Sequence, residues 1–211
     1  MGLFEYAFAD QSQPLLCVDT QEKVIALTFD DGPNEQMLVL AKLLASQDCH
    51  ATFFVIGKNM EKYAEVVREA SELGHEIGNH SYTHPKLPNL ATLKAVEEEI
   101  AKTQAVVKQT TGTAPVLFRA PFLQYDEKVW DVLDRLGLQA VGSNAGTRDW
   151  SKETTTEQIV ERATGNLKPG TIVLMHTFPE NTLKAMPESL RILKEKGYRC
   201  ITVSEMLKLQ P

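Results

Sequence analysis

Residues 23–33 read KVIALTFDDGP. From Val24 to Phe29 the run is apolar apart from one threonine and shows no polar–apolar alternation. A strand wet on one face alternates, whereas a strand covered on both faces does not, and the strands of parallel sheets are of the second kind. The run stops on two aspartates followed by Gly-Pro, which is turn chemistry. Working outward, similar short runs recur at 51–56 (ATFFVI), 75–77, 116–118, 138–141, 171–175 (TIVLM) and 198–202 (YRCIT). Between them lie segments of helical period. Residues 35–47 align Met37, Leu40, Leu43 and Leu44, residues 61–73 align Val66, Ala70 and Leu73, and residues 93–110 align Leu93, Val96, Ile100 and Val107. Residues 127–136, 156–167, 183–196 and a short 204–209 follow the same rule, and Gly74, Gly112, Gly137 and Gly197 stand where helices need a left-handed stop. Strands alternating with helices predict right-handed βαβ units and an α/β fold. About seven parallel strands suit an open doubly wound sheet or a closed, incomplete barrel, and periodicity does not choose between them. Residues 1–22 lack a period and are expected to form an N-terminal arm on a domain spanning 23–211.

The composition narrows the class. A chain of 211 residues fits one domain, and 43% hydrophobic with 24% charged residues excludes disordered and fibrous chains. With 22 basic against 28 acidic residues, the net charge of −6 opposes nucleic-acid binding. No apolar run approaches the ~18 residues of a membrane span. Residues 1–10 (MGLFEYAFAD) have no basic region and do not read as a signal peptide. Cys17, Cys49 and Cys200 are odd in number and include no Cys-x-x-Cys, so buried free thiols are expected.

In α/β folds the chemistry collects at the C-terminal ends of the strands. Read at those positions, the sequence offers Asp30-Asp31, His80 with His84, Arg119-Ala120-Pro121-Phe122, Asp149-Trp150 and His176. His80 and His84 are four apart, so one helical turn ending before Pro85 would bring both imidazoles to one cation. Two histidines and one carboxylate leave positions open for water and substrate, which suits a catalytic metal. Two adjacent ionised carboxylates repel, and a cation held by one of Asp30 and Asp31 offsets this while the other acts as a base. Arg119 reads as a bidentate clamp on a carboxylate. Asp149 would hold the tautomer of His176 and favour its protonated, acidic form. Trp150 beside Asp149 would wall a substrate pocket. His50 and His75 fall off this edge and read as structural.

Thr28-Phe29-Asp30-Asp31-Gly32 with His80-Ser81-Tyr82-Thr83-His84 resembles the first two motifs of the polysaccharide deacetylases, the NodB homology domain or carbohydrate esterase family 4. Arg119-Ala120-Pro121-Phe122, Asp149-Trp150 and Leu174-Met175-His176 resemble the remaining three, in order, over residues 22–208. The resemblance implies a deformed (β/α) barrel with its active site at the strand C-terminal ends. It implies hydrolysis of N-acetyl groups on chitin-type or peptidoglycan glycans, or of O-acetyl groups on xylan, by metal-activated water. By position, Asp31, His80 and His84 would bind one divalent metal, zinc above all, with cobalt or nickel as alternatives. Asp30 would be the base, tethered by Arg119. The Phe122 backbone N–H would stabilise the oxyanion. Asp149 would orient the acid His176, and Trp150 and Leu174 would pack on the acetyl methyl.

Two positions depart from the family pattern: Phe122 replaces the usual Tyr, and Gly146 replaces an Asp three residues before Asp149. The partner expected is an acetylated poly- or oligosaccharide, with no nucleic acid and no membrane span, and the chain is expected to act as a monomer. Family resemblance points to an extracellular or cell-wall location, while the lack of a visible signal peptide leaves the cytoplasm open. An acetylxylan esterase and an inactive glycan-binding module are the alternative readings. No Gly-x-Gly-x-x-Gly or Gly-x-Ser-x-Gly supports a dinucleotide enzyme or a serine hydrolase.

Overall fold

The computed structural model describes residues 13–210. The first twelve residues of the expected arm, including the stretch read for a signal peptide, lie outside the described residues. The strands are β1 (Val24–Gly32), β2 (Thr52–Val55), β3 (Glu76–Asn79), β4 (Leu117–Phe118), β5 (Gln139–Ala140), β6 (Ala145–Gly146), β7 (Thr171–His176) and β8 (Arg199–Cys200). The helices are α1 (Glu35–Ser46), α2 (Met60–Glu72), α3 (Leu93–Thr111), α4 (Glu127–Leu136), α5 (Thr156–Thr164), α6 (Glu180–Glu195) and α7 (Val203–Leu207). All strand pairs are parallel, in the order β5-β4-β3-β2-β1-β7-β6, with β8 beside the first residues of β1. This is an α/β fold of the deformed (β/α)-barrel type. About seven strands are expected from the sequence, and the seven runs read there are all strands, joined by one short further strand among the described residues. The additional one, β6, is an Ala-Gly pair with no strand-forming residue, and it exists only through its ladder to Val173 and Leu174 of β7.

β1 explains the layering. Its alternate residues Ile25, Leu27 and Phe29 face outward and pack with Phe53, Met37, Leu40, Leu44 and Leu190 under α1 and α6. Val24 and Ala26 face inward and join Phe54, Leu117, Val141 and Ile172, with Val203 and Met206 of α7. The two faces of one strand thus feed two cores, which is why the sequence shows no alternation. The inner row then continues into Thr28 and Asp30, both buried. His75 is a core histidine as expected: Ala51 N–H donates to Nδ1 at 3.1 Å, Nε2–H donates to Ala41 O at 2.9 Å, and burial pushes its pKa down. Cys49 and Cys200 are buried and free, whereas Cys17 is exposed.

The barrel is not closed by strand pairing alone. Leu15 N–H donates to Ala140 O and Gly142 N–H donates to Leu15 O, while Val18 N–H donates to Gly170 O, at 2.8–2.9 Å. Leu15 bridges to Val141 and Cys17 to Thr171, so this segment straps the seam between β5 and the start of β7. Gly170 is pinned under the strap, since its φ is +77° and a Cβ there would lie 1.8 Å from Val18 O. Gly170→Ala is expected to lower unfolding stability by more than Gly112→Ala. The latter has φ +81° and open space around its Cβ, so only the backbone penalty of about 1 kcal/mol applies. Urea denaturation of both variants checks this, and equal losses would show that the strap carries no stability.

Candidate active site

Asp30 and His176 are register partners across β1 and β7, so their side chains rise from the same face. A regular strand would send the next residue, Asp31, to the opposite face among the helices. Instead the β1–β2 ladder shifts register between Phe29 and Gly32, and Asp31 is left-handed at φ 68°. Aspartate adopts that conformation more readily than most residues. The irregularity turns the second carboxylate back into the cleft.

Arg119, fully buried at the end of β4, anchors the first carboxylate. Its Nη1 donates to Asp30 Oδ1 and to Thr28 Oγ1, both at 2.8 Å. Nη2 donates to Gly142 O at 2.7 Å and Nε to Val141 O at 3.3 Å, and the guanidinium lies 4.2 Å from the Phe54 ring centroid. The bidentate clamp expected from sequence is therefore a single N–H to Asp30, because the other donors go to carbonyls at the end of β5. That arrangement leaves Asp30 Oδ2 free of Arg119 and 3.9 Å from His80 Nε2.

His80 Nδ1–H donates to Arg119 O at 2.7 Å, so its Nε2 carries the lone pair. That Nε2 lies 3.5 Å from Asp31 Oδ1, and His84 Nε2 lies 3.2 Å from the same oxygen. The three ligand atoms fall within 4.8 Å of one another, and Asp31 Oδ1 is buried with no hydrogen-bond partner. An orphaned carboxylate oxygen facing two imidazole nitrogens is the donor set a divalent cation completes. Burial pushes the Asp31 carboxyl up, and the two imidazoles outweigh it, holding the group well below the usual carboxylate range.

The helical turn expected between His80 and His84 is absent. Ser81 and His84 are both left-handed, at φ 64° and 60°, and a non-helical loop brings the rings to a centroid distance of 5.0 Å. Pro85 disfavours helical backbone at His84, and the loop finds other partners. Ser81 N–H donates to Asn79 Oδ1, His84 N–H to Ser81 Oγ, and Tyr82 and Thr83 N–H to the Glu99 carboxylate from α3.

His176 Nδ1–H donates to Asp149 Oδ1 at 2.8 Å, which leaves Nε2 for the cleft. Asp149 Oδ2 accepts from His176 N–H at 2.7 Å and from Thr182 Oγ1–H at 2.6 Å. Burial works to lower the His176 pKa, but the Asp149 hydrogen bond and charge, with smaller help from Asp30 and Asp31, raise it above the ordinary value.

These groups line an open cleft of about 520 Å³. Phe122, Trp150, Leu174 and Phe178 form its apolar walls. Trp150 and Phe122 are 56% and 55% exposed, so neither is a core residue. Phe122 is left-handed at φ 59° and its ring sits 4.9 Å from that of His84. Gly146 lies on β6 with nothing within 4 Å of where a Cβ would stand, so packing does not demand a glycine there. A depression of about 590 Å³ between α6 and β8, lined by Cys49, Arg191 and Tyr198, is larger. It lies at the strand N-terminal ends, which in barrels serve stability, and its charged lining includes the exposed Arg191–Glu195 ion pair of α6. All ten residues singled out from the sequence thus meet at one cleft, directly or through Arg119 and Asp149. Sequence reasoning missed Glu99, Thr182 and Phe178. Thr182 stands 33 residues from Asp149, and only the fold joins them.

A barrel with a polar strand-end cleft of this composition defines a hydrolase-type α/β scaffold. The polysaccharide deacetylase profile matches residues 18–141. The chain is 34% identical to a peptidoglycan-N-acetylglucosamine deacetylase of Bacillus cereus over 90% of its own length and 91% of that protein's. It is 32% identical to a bifunctional xylanase/deacetylase of Pseudobutyrivibrio xylanivorans, covering 90% of this chain but only 31% of that one. Its fold matches a family 4 carbohydrate esterase from Streptomyces lividans, solved with acetate, at a TM-score of 0.80 and 31% identity, covering 86% and 93% of the two chains. The chain belongs to the polysaccharide deacetylase family. Among the described residues no helix is long and apolar enough to cross a membrane.

As a candidate metal site, Asp31, His80 and His84 are expected to bind one Zn²⁺ or Co²⁺ per chain in calorimetric titration of chelator-treated protein. His80→Ala should weaken binding by about 100-fold or more, beyond what loss of an outer-shell partner costs. Full occupancy in a His80→Ala/His84→Ala double variant would overturn the assignment.

Proposed function

We propose that this chain is a metal-dependent hydrolase that removes acetyl groups from N-acetylglucosamine-containing glycans of the chitin-oligosaccharide or peptidoglycan type. The observation that carries the reading is the register pairing of Asp30 with His176 at the floor of a cleft whose polar wall is Asp31, His80 and His84. A base and an acid stand side by side, and the cation site lies next to the base. The cation is zinc, with cobalt or nickel able to take the same donors. When bound, it supplies Lewis acidity to water and to a carbonyl oxygen.

Asp30, held in place by the Arg119 N–H, accepts through Oδ2 the proton that water loses as its oxygen bonds to the acetyl carbon. The Phe122 backbone N–H donates to the oxygen on which negative charge develops. His176 delivers its Nε2 proton to the leaving nitrogen as the C–N bond breaks, so the products are acetate and a free amine. Asp149 keeps His176 in the tautomer and charge state this step needs. Trp150 and Leu174 pack against the acetyl methyl. The enzyme acts as a monomer, and it works outside the cell or at the cell wall, a location supported by the peptidoglycan-directed relative. The xylanase/deacetylase relative favours one second reading, O-deacetylation of xylan at the same site.

Acetate release from N-acetylglucosamine oligomers, peptidoglycan and acetylated xylan, before and after chelation, tests the proposal. Metal-reversible release from the first two is expected, and release from none would refute it, leaving a glycan-binding module. Asp30→Asn should keep the metal and lose turnover by about 10²-fold or more. Wild-type turnover in that variant would remove Asp30 as the base.

The pH profile carries a separate expectation. Rate should fall as pH passes the raised pKa of His176, where the acid loses the proton it must deliver. Asp149→Asn withdraws the contribution that raises that pKa, so the alkaline limb should move to lower pH. A pH–rate series on an N-acetylated oligomer reads this directly, and an unmoved limb would disprove the coupling.

A further inference from the structure

The two histidines beside Asp31 are held in different ways. His80 has its ring fixed directly, through Nδ1–H to Arg119 O, and its backbone N–H donates to Val55 O at 3.0 Å. His84 has no such ring bond. Apart from its contact with Asp31, its one hydrogen bond among the described residues runs from its backbone N–H to Ser81 Oγ at 3.1 Å. The aim of the His84 imidazole therefore depends on the backbone that delivers it.

That backbone is strained. Ser81 and His84, on either side of Tyr82 and Thr83, are left-handed, and non-glycine residues persist there only where other contacts impose it. The first half of the loop is fastened on two sides. Ser81 N–H donates to Asn79 Oδ1 at 2.9 Å, and the N–H groups of Gly57 and Lys58 donate to the carbonyls of Ser81 and Tyr82 at 3.0 and 2.9 Å. The second half rests on one side chain. Glu99 Oε2 accepts from Tyr82 N–H at 3.0 Å and from Thr83 N–H at 2.8 Å, and Oε1 accepts from Thr83 Oγ1–H at 2.7 Å. Two successive N–H groups converging on one oxygen form a concavity suited to an anion, and Glu99 supplies the anion. It does so from a packed helix. The next residue of α3, Ile100, is buried in the core, and its carbonyl accepts from Asn79 Nδ2 at 2.9 Å.

We propose that Glu99 is a positioning residue for the metal site: it holds Tyr82 and Thr83 in the backbone form that aims His84 at the cation, and so sets how tightly the cation is bound. The inference rests on the reading of Asp31, His80 and His84 as metal ligands and deepens it. The three hydrogen bonds of the carboxylate all go to the loop, so Glu99 acts through His84 and not as a fourth ligand. A ligand aimed before the cation arrives needs no ordering on binding, whereas a relaxed loop must be re-formed at the expense of affinity.

The test measures the Zn²⁺ affinity of chelator-stripped protein, by competition with a chromophoric chelator, for wild type, Glu99→Ala, Glu99→Gln and Glu98→Ala. Glu99→Ala should bind about 10- to 100-fold more weakly, the loss typical of a partner that orients a metal ligand. Glu99→Gln lacks the charge but keeps an oxygen for the two N–H groups, so it should recover most of that loss. Glu98→Ala removes an equal charge one residue away, from an exposed side chain beside Lys94, and should bind as the wild type does. Alanine suits a helix, so metal-free Glu99→Ala should still unfold in one urea transition near the wild-type midpoint. Wild-type affinity in Glu99→Ala would overturn the role. Equal losses in Glu99→Ala and Glu99→Gln would also overturn it, as an effect of charge alone, and so would a metal-free Glu99→Ala that is already unfolded, as support of the fold. If the wild type itself binds no Zn²⁺, the metal-site reading fails and the role of Glu99 falls with it.

Discussion

The arrangement of the site depends on one buried cation. Arg119 has no exposed surface and, among the described residues, one carboxylate partner, Asp30. A guanidinium removed from water is tolerated only if nearly all its donors are satisfied, and leaving such a charge unpaired costs about 3–5 kcal/mol. Here Thr28, Asp30 and the carbonyls of Val141 and Gly142 meet that demand, and the Phe54 ring covers one face. Those partners sit on β1 and at the end of β5, so solvation of one side chain sets the distance between both sides of the barrel. The Arg119 carbonyl also receives the His80 Nδ1–H. One residue thus orients the candidate base and fixes the tautomer of a metal-ligand candidate.

A second tier of contacts holds what Arg119 does not reach. Glu99 accepts two loop N–H groups beside His84, and Thr182 donates to Asp149 from the first turn of α6. Both act from helices, the rigid layer, upon loops at the strand ends. Strain gathers in those loops: Asp31, Ser81, His84, Phe122 and Arg148 all have positive φ without being glycine. Such conformations persist where surrounding bonds over-determine them, and these are the loops that line or adjoin the cleft.

Much of this was legible in the sequence. The apolar run without alternation before Asp30 announced a strand covered on both faces, and the glycine stops after the helices stand left-handed at Gly74, Gly112, Gly137 and Gly197. The strand-end residues Asp30, Asp31, His80, Arg119, Asp149 and His176 are found together because parallel strands deliver their ends to one place. What was hidden depended on distant partners. The two-residue strand β6 has no propensity of its own and is induced by β7. The loop from His80 to His84 looked like a helical turn by spacing, but its backbone follows bonds to Asn79 and Glu99. Thr182 and Glu99 are ordinary residues until the fold sets them beside Asp149 and Thr83. Gly170 carried no signal in the sequence, and its necessity comes from the strap lying across it.

The left-handed backbone at Asp31 has an evolutionary consequence. Asparagine also enters that region with ease, and an aspartate codon becomes an asparagine codon by one nucleotide change. Such a step removes the charge at the candidate metal position while leaving the bulge, the strands and the core at rest. Chemistry and folding are therefore inherited as separable traits at this position. A lineage carrying this barrel can abandon catalysis in a single generation and still keep a well-folded scaffold, with its aromatic-walled face intact and open to new selection.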